Sequence, residues 1–209
     1  VLRAITEEDI SIKYVAGTSI GSFVGSLFAF GKNWEEIKDI ALELDWLDIS
    51  SMSLSQFSLF SNKRIEEIFE KHIGDVNIEE AKIPLNIVAT DINRGKRVVL
   101  KNGKLTEAVM ASTCLPGIFK PVEVDDRMFV DGGLTENVPV LAVQEMGAKY
   151  VIGVDLNAKF NFKKPGNILE LLMNSVQLAL MTASRLQTEK SDLIITPDVS
   201  DFNMYDTSQ

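Results

Sequence analysis

The sequence predicts an α/β fold: three layers, α/β/α, on a mostly parallel central sheet. Short apolar, β-branched runs alternate with helical patterns along the 209 residues, the signature of repeated βα units. Several of those runs end in small or polar residues: Ala16-Gly17-Thr18-Ser19, Ala89-Thr90-Asp91, Gly153-Val154-Asp155 and Thr196-Pro197-Asp198. In an open α/β sheet the carboxyl ends of the strands line the ligand crevice, so these ends are expected to share one. No internal repeat or linker breaks the alternation, and a single domain over residues 1–209 is expected.

The elements follow in order. Val1, Leu2 and Ile5 fall on one helical face, with Arg3, Glu7 and Glu8 opposite. Tyr14 to Ala16 is a short strand running into Gly17-Thr18-Ser19-Ile20-Gly21-Ser22, and Phe23 to Phe30 a buried helix closed by Gly31. Trp34 to Leu44 is an amphipathic helix, and Asn62 to Ile73 another that ends near Gly74. Leu85 to Thr90 is a strand, joined by Lys96 to Leu100. A helix from Thr106 to Thr113 is stopped by Pro116-Gly117, and Val122 to Val130 is a hairpin turning at Asp125-Asp126. Pro139 to Met146 is a helix with proline in its first turn and Gly147 at its end. Tyr150 to Val154 reads as the clearest core strand, Asn167 to Lys190 as the longest helix and Leu193 to Thr196 as the last strand.

Composition excludes several classes of function. A net charge of -9 argues against a nucleic-acid partner held by counterion release. One cysteine, Cys114, forms no internal disulfide and reads as core; it favours a reducing, cytoplasmic setting. One histidine, His72, excludes a histidine-rich zinc site and leaves any Ser-His-Asp triad a single candidate. No metal constellation, Walker loop or dinucleotide glycine pattern is present, so no metal and no cofactor is expected. No apolar run has the length of a membrane span; Leu169 to Met181 is broken by Glu170, Asn174, Ser175 and Gln177. The chain opens inside a periodic segment and stops without a closing signal, so it is expected to be trimmed at both ends.

Gly17-Thr18-Ser19-Ile20-Gly21 matches G-x-S-x-G. Average Gly and Ser usage gives about one chance match in 15 chains of this length, so the bare pattern says little. Its setting says more: it directly follows a strand and directly precedes a helix, where a tight turn exposes a serine Oγ. Glycines at those positions avoid collision across the turn, and the helix N-terminus favours negative charge developing beside Ser19. A serine N-cap on a buried helix, with glycines for close packing, explains the same residues.

A nucleophilic serine needs a base, and nothing beyond His72 is a histidine. His72 sits at a charged helix end and reads as solvated, so a carboxylate or lysine must serve. Asp131 is the best candidate: it ends the strand Met128-Phe129-Val130 and is followed by Gly132-Gly133, which allow close backbone approach. Asp91 and Asp155 are rivals at strand ends, and both also fit structural turn roles.

These residues resemble the patatin-like phospholipases, in particular their compact bacterial members, over nearly the whole chain. Gly17 to Ser22 is similar to the family's nucleophile turn and Asp131-Gly132-Gly133 to its acid motif. Between and after them, Ala89-Thr90-Asp91, Ala111 to Pro116 with Phe119 and Pro121, and Asn137-Val138-Pro139 resemble connecting blocks. The resemblance implies a Ser-Asp dyad hydrolase acting on acyl esters of phospholipids, lysophospholipids or related lipids. Ser19 would form an acyl-enzyme, and Asp131 would take its proton and later activate water. The family's glycine-rich oxyanion loop lies upstream of the opening helix and is not in this chain, which leaves the Ile20 or Gly21 N–H as candidate donors. Two other readings stay open: a catalytically silent domain that binds lipid or a partner, and a general small-ester or thioester hydrolase.

Three surface stretches bear on a transient contact with a membrane. Asp48 to Phe60 is apolar, aperiodic and serine-rich, suiting a flap over an acyl channel or a loop packed on the domain. Lys159 to Pro165 alternates aromatics with lysines, as an interfacial loop does, and fits an ordinary surface loop as well. Arg94, Lys96, Arg97, Lys101 and Lys104 read as a solvated basic face.

Overall fold

A computed structural model of the protein describes residues 1–43, 52–55, 58–60, 63–157, 162 and 164–199. The chain opens on helix α1 (Leu2–Glu7), passes through strand β1 (Val15–Thr18) into α2 (Ile20–Ala29), and turns at Gly31, φ 92°, into α3 (Trp34–Leu42). Asn33 caps α3 with a capping box shared with Glu36. A hairpin, β2 (Met52–Ser55) and β3 (Ser58–Phe60), precedes α4 (Lys63–His72). Then come β4 (Leu85–Asp91), β5 (Lys96–Leu100), α5 (Leu105–Ser112), β6 (Val122–Val124) and β7 (Arg127–Asp131). The short helices α6 (Gly133–Glu136) and α7 (Val140–Gln144), strand β8 (Ile152–Val154), the long helix α8 (Ile168–Thr188) and β9 (Leu193–Ile195) complete the described chain. No described helix is long and apolar enough to cross a membrane.

β4 is the spine of the sheet, and all seven of its residues are buried. A strand covered on both faces can read as a continuous apolar run, as Leu85 to Ala89 nearly does. Alternate side chains face opposite layers. Leu85 and Ile87 join the main core with Phe23 and Leu27 of α2, Ile68 and Phe69 of α4, and Leu105 and Val109 of α5. The Phe23 and Phe69 rings meet edge to face, centroids 5.3 Å apart. On the other face, the Asn86 amide donates to the Ala142 carbonyl of α7, and Thr90 meets Thr135 of α6. α8 lies over α6, its Ser184 hydroxyl accepting from the Asn137 amide at 2.6 Å. The result is the α/β/α layering.

The sheet is mixed, and its connections explain the directions. β1 pairs parallel with β4 because helices carry the chain across between them. β4–β5 and β6–β7 are antiparallel because short turns join them. Asp125 (φ 49°) and Asp126 (φ 59°) both take positive φ in the second of these turns, the pattern of a two-residue hairpin that matches strand twist.

Along one edge, β4 pairs with β5 from Ile87↔Leu100 to Asp91↔Lys96. The opposite edge is shared. β1 takes its first half, ending at Thr18↔Val88, and the antiparallel β7 takes its second, ending at Ala89↔Asp131. The two strands therefore meet end to end, each with its carboxyl terminus at the meeting point.

Two expectations are corrected. Tyr150 to Val154 is not a strand of the central sheet: only Ile152–Val154 is strand, paired in parallel with β9, and Tyr150 is 64% exposed. An apolar run reports burial against some element without saying which, and here Val151 packs on Val138 and Val140. Pro139 stands just before α7 because a bond from Val140 N–H to Val138 O closes an inverse γ-turn around it (φ -80°, ψ 56°).

Candidate active site

β1 ends at Thr18 and α2 begins at Ile20, so Ser19 alone reverses the chain. It does so at φ 52° and ψ -127°, a region that residues with a Cβ rarely occupy. Gly17 makes that turn sterically feasible, since a Cβ there would lie 2.4 Å from Gly21 O and 2.5 Å from Ser22 Cα. The reading that both glycines of the motif avoid collision is corrected at Gly21. A Cβ there meets nothing within 4 Å, because Gly21 faces outward from the first turn of α2.

The junction of β1 and β7 brings Ser19 and Asp131 together. Ser19 Oγ donates to Asp131 Oδ2 at 2.5 Å, a charge-assisted length. The other oxygen, Oδ1, accepts the Gly133 N–H at 2.7 Å, which orients the carboxylate. Asp131 is 4% exposed, and burial pushes its pKa up from the usual 3.8 to about 6, against the pull of the Ser19 hydroxyl and the Gly133 N–H. Gly132 lies against β4 so closely that a Cβ would sit 2.1 Å from the Val88 carbonyl oxygen. At Gly133 a Cβ would press on Asp131 Oδ1 at 3.0 Å and Asn137 Oδ1 at 3.2 Å.

Buried hydroxyls hold this junction. Thr90 Oγ1 donates to the Asp131 carbonyl at 2.9 Å and lies 2.9 Å from the Thr135 hydroxyl. Thr18 Oγ1 donates to the Glu136 carbonyl at 2.8 Å. Ser112 Oγ accepts the Ser19 N–H at 2.9 Å and donates to the Val88 carbonyl at 2.7 Å. In the sequence, Ser112 and Thr90 fall inside connecting blocks that give neither a role. The only local signal is a polar residue at the end of an apolar run.

The rival groups are engaged elsewhere. Asp91 bonds Arg127 Nε at 2.8 Å and accepts the Arg94 N–H at 3.1 Å, and Arg127 foremost holds its carboxyl below the usual range. Asp155 accepts the Asn157 N–H at 2.9 Å, the turn role open to it. His72 Nε2 lies 3.2 Å from Glu43 Oε1 at the end of α4; it is half-buried and paired, where a solvated residue was expected. Arg97 also leaves the solvated basic face, bonding the buried carboxylate of Glu136 at 2.6 Å and also Glu145. Glu136 in turn accepts the Leu141 N–H at 2.7 Å and so anchors the start of α7. Burial pushes the Cys114 thiol up to about 12, with the nearby Asp131 charge adding to it, so this cysteine is inert.

Among the described residues no group of three or more His, Cys, Asp and Glu side chains is arranged to hold a metal ion. Of the flap reading, residues 48–51, 56 and 57 lie outside the described residues, as do 159–161 and 163 of the aromatic-lysine loop.

A family model described as patatin-like phospholipase matches residues 1–143, a span that contains both Ser19 and Asp131. The chain belongs to the patatin-like phospholipase family. Membership supports lipid hydrolysis at the level of the family, with lipid or acyl-ester substrates as the class. The chain is 33% identical over 160 residues to an uncharacterized NTE family protein of Mycobacterium tuberculosis, covering 75% of this chain and 44% of that protein. It is 34% identical over 174 residues to human patatin-like phospholipase domain-containing protein 6, covering 76% of this chain and 12% of that one. Neuropathy target esterase of Drosophila melanogaster is 28% identical over 167 residues, again with 76% and 12% coverage. The chain thus spans less than half the length of these curated relatives.

Proposed function

We propose that this chain is a lipid acyl hydrolase of the phospholipase A or lysophospholipase kind, with Ser19 as nucleophile and Asp131 as its base. The observation that supports it most is the 2.5 Å bond from Ser19 Oγ to Asp131 Oδ2, made between residues 112 apart in sequence. Ser19 Oγ attacks the ester carbonyl while its proton passes to Asp131 Oδ2. The tetrahedral intermediate collapses to an acyl-enzyme, and the alcohol leaves with the proton from Asp131. Asp131 then takes a proton from water as the water attacks the acyl carbonyl, and returns that proton to Ser19 Oγ as the fatty acid is released. The Ile20 N–H opens α2, where first-turn N–H groups lack an intrahelical acceptor, and it is a candidate donor to the oxyanion.

A base works best with a pKa near the working pH, and a pKa of about 6 leaves Asp131 ionised yet basic at neutrality. Below that value the base is lost, so kcat/KM is expected to fall roughly tenfold per pH unit on the acid side. A pH–rate profile flat between pH 5 and 8 would contradict the assignment.

Fluorophosphonate labelling with peptide mapping tests the nucleophile. The expected adduct is on Ser19, absent in Ser19→Ala and retained at the wild-type rate in His72→Ala. No adduct on any serine replaces the enzyme reading with a lipid- or partner-binding domain. An adduct with preference for short over long acyl esters points to a small-ester hydrolase instead.

A further inference from the structure

Ser112 sits at the last turn of α5 and is fully buried. The ladder of β1 on β4 gives its two hydroxyl bonds a meaning. Val15 N–H donates to Pro84 O, and Val15 is registered on Leu85, so odd residues of β1 donate to the carbonyl before their partner. After Val15 and Gly17 the next such residue is Ser19, and the carbonyl in line for it is that of Val88. That rung is not made directly. The Ser112 hydroxyl stands in it, accepting from Ser19 N–H at 2.9 Å and donating to Val88 O at 2.7 Å.

We infer that Ser112 is the positioning residue of the nucleophile, its hydroxyl spliced into the rung between Ser19 N–H and Val88 C=O. A direct rung would keep Ser19 on the edge of β4 in strand geometry. The inserted hydroxyl satisfies both backbone groups while the chain leaves that edge at φ 52°, and Oγ is thereby aimed at Asp131. The same departure vacates the edge for β7, which begins pairing at Ala89↔Asp131. Ser112 also ties the two halves together, its carbonyl accepting the Gly132 N–H at 3.3 Å. Stripping the hydroxyl leaves a buried carbonyl, Val88 O, and a partly buried N–H, that of Ser19, to be satisfied some other way, and the direct rung is the nearest remedy. That rung would pull Ser19 back toward the strand.

The inference rests on Ser19 being the nucleophile, so the test separates the two. In the wild type, the Ser19 amide should exchange slowly with solvent; exchange as fast as an exposed amide would overturn the inference without any variant. In Ser112→Ala, that protection should be lost. The Asp131 carboxyl should then titrate above about 6, because the Ser19 hydroxyl bond that lowers its pKa is weakened. The fluorophosphonate labelling rate per folded molecule should fall about 100-fold, the scale of a misplaced reacting group. Ser112→Thr, which keeps the hydroxyl, should stay within about tenfold of wild type. A folded Ser112→Ala with unchanged labelling rate and unchanged Asp131 titration would overturn the positioning role. A wild type that never labels would sink the nucleophile reading instead, while exchange and titration still decide the role of Ser112.

Discussion

Asp131→Asn is expected to cut turnover by about 10³ to 10⁴ and, at the same time, to raise the melting temperature at neutral pH. The loss follows from the proposed roles, since asparagine cannot take the proton of the Ser19 hydroxyl that Asp131 accepts. The gain follows from linkage. Asp131 has a pKa of about 6 in the folded chain against a usual 3.8, so the folded state holds the proton more tightly than the unfolded state. Its favourable contribution is complete below about pH 4 and is lost as pH rises through about 6. Above that, the buried carboxylate costs the fold about 3 kcal/mol, since each tenfold difference in proton affinity between the two states is worth about 1.4 kcal/mol. Asparagine carries no such cost, and the melting temperature should rise by roughly 6 to 12 °C at pH 7.5. The advantage should halve by about pH 5 and vanish near pH 4. Thermal melts of the two proteins at these pH values, beside an ester-hydrolysis assay, check both halves. A variant that is less stable than wild type at pH 7.5, or equally active, refutes the assignment.

Gly132→Ala is the substitution expected to damage the fold most. Its Cβ would lie 2.1 Å from Val88 O and 2.6 Å from Val88 C, both backbone atoms of the central strand that no rotamer change can move. Relief requires β7 to shift off β4, at a cost of about 3 kcal/mol or more. It also carries Asp131 away from Ser19. Gly21→Ala is the contrast: open space surrounds its Cβ, and alanine in a helical turn is favoured by about 1 kcal/mol over glycine. Urea unfolding midpoints should separate the pair widely, Gly132→Ala falling well below wild type and Gly21→Ala at or above it. Coincident midpoints would show that the strand junction is looser than these distances imply.

The glycines carried most of what could be read from the sequence alone. Gly17 and Gly132 stand where backbone passes backbone too closely for a Cβ, and such a requirement leaves a mark at a single position. The layering was legible for a similar reason, since β4 is buried on both faces and Leu85 to Ala89 is apolar at every position but Asn86. Other features belong to no single segment. The rung at Ser112 needs residues 19, 88 and 112 together, and from sequence that serine is one more polar residue at a helix end. Arg97 looked solvated because its partner Glu136 lies 39 residues ahead, beyond any local pattern. β8 looked like core because apolarity records that a segment is covered and not what covers it.

Ser19 and Asp131 share no strand pairing with each other; each reaches the other only by docking on the same edge of β4. A chain that has laid β1 on β4 but not yet β7 holds Ser19 without Asp131 beside it. Closing the 112-residue gap between them is a non-local step with a loop-closure cost that forming a single helix does not carry. The Ser19–Asp131 bond is therefore a product of sheet closure as a whole, and any state in which either strand has left β4 lacks the site altogether.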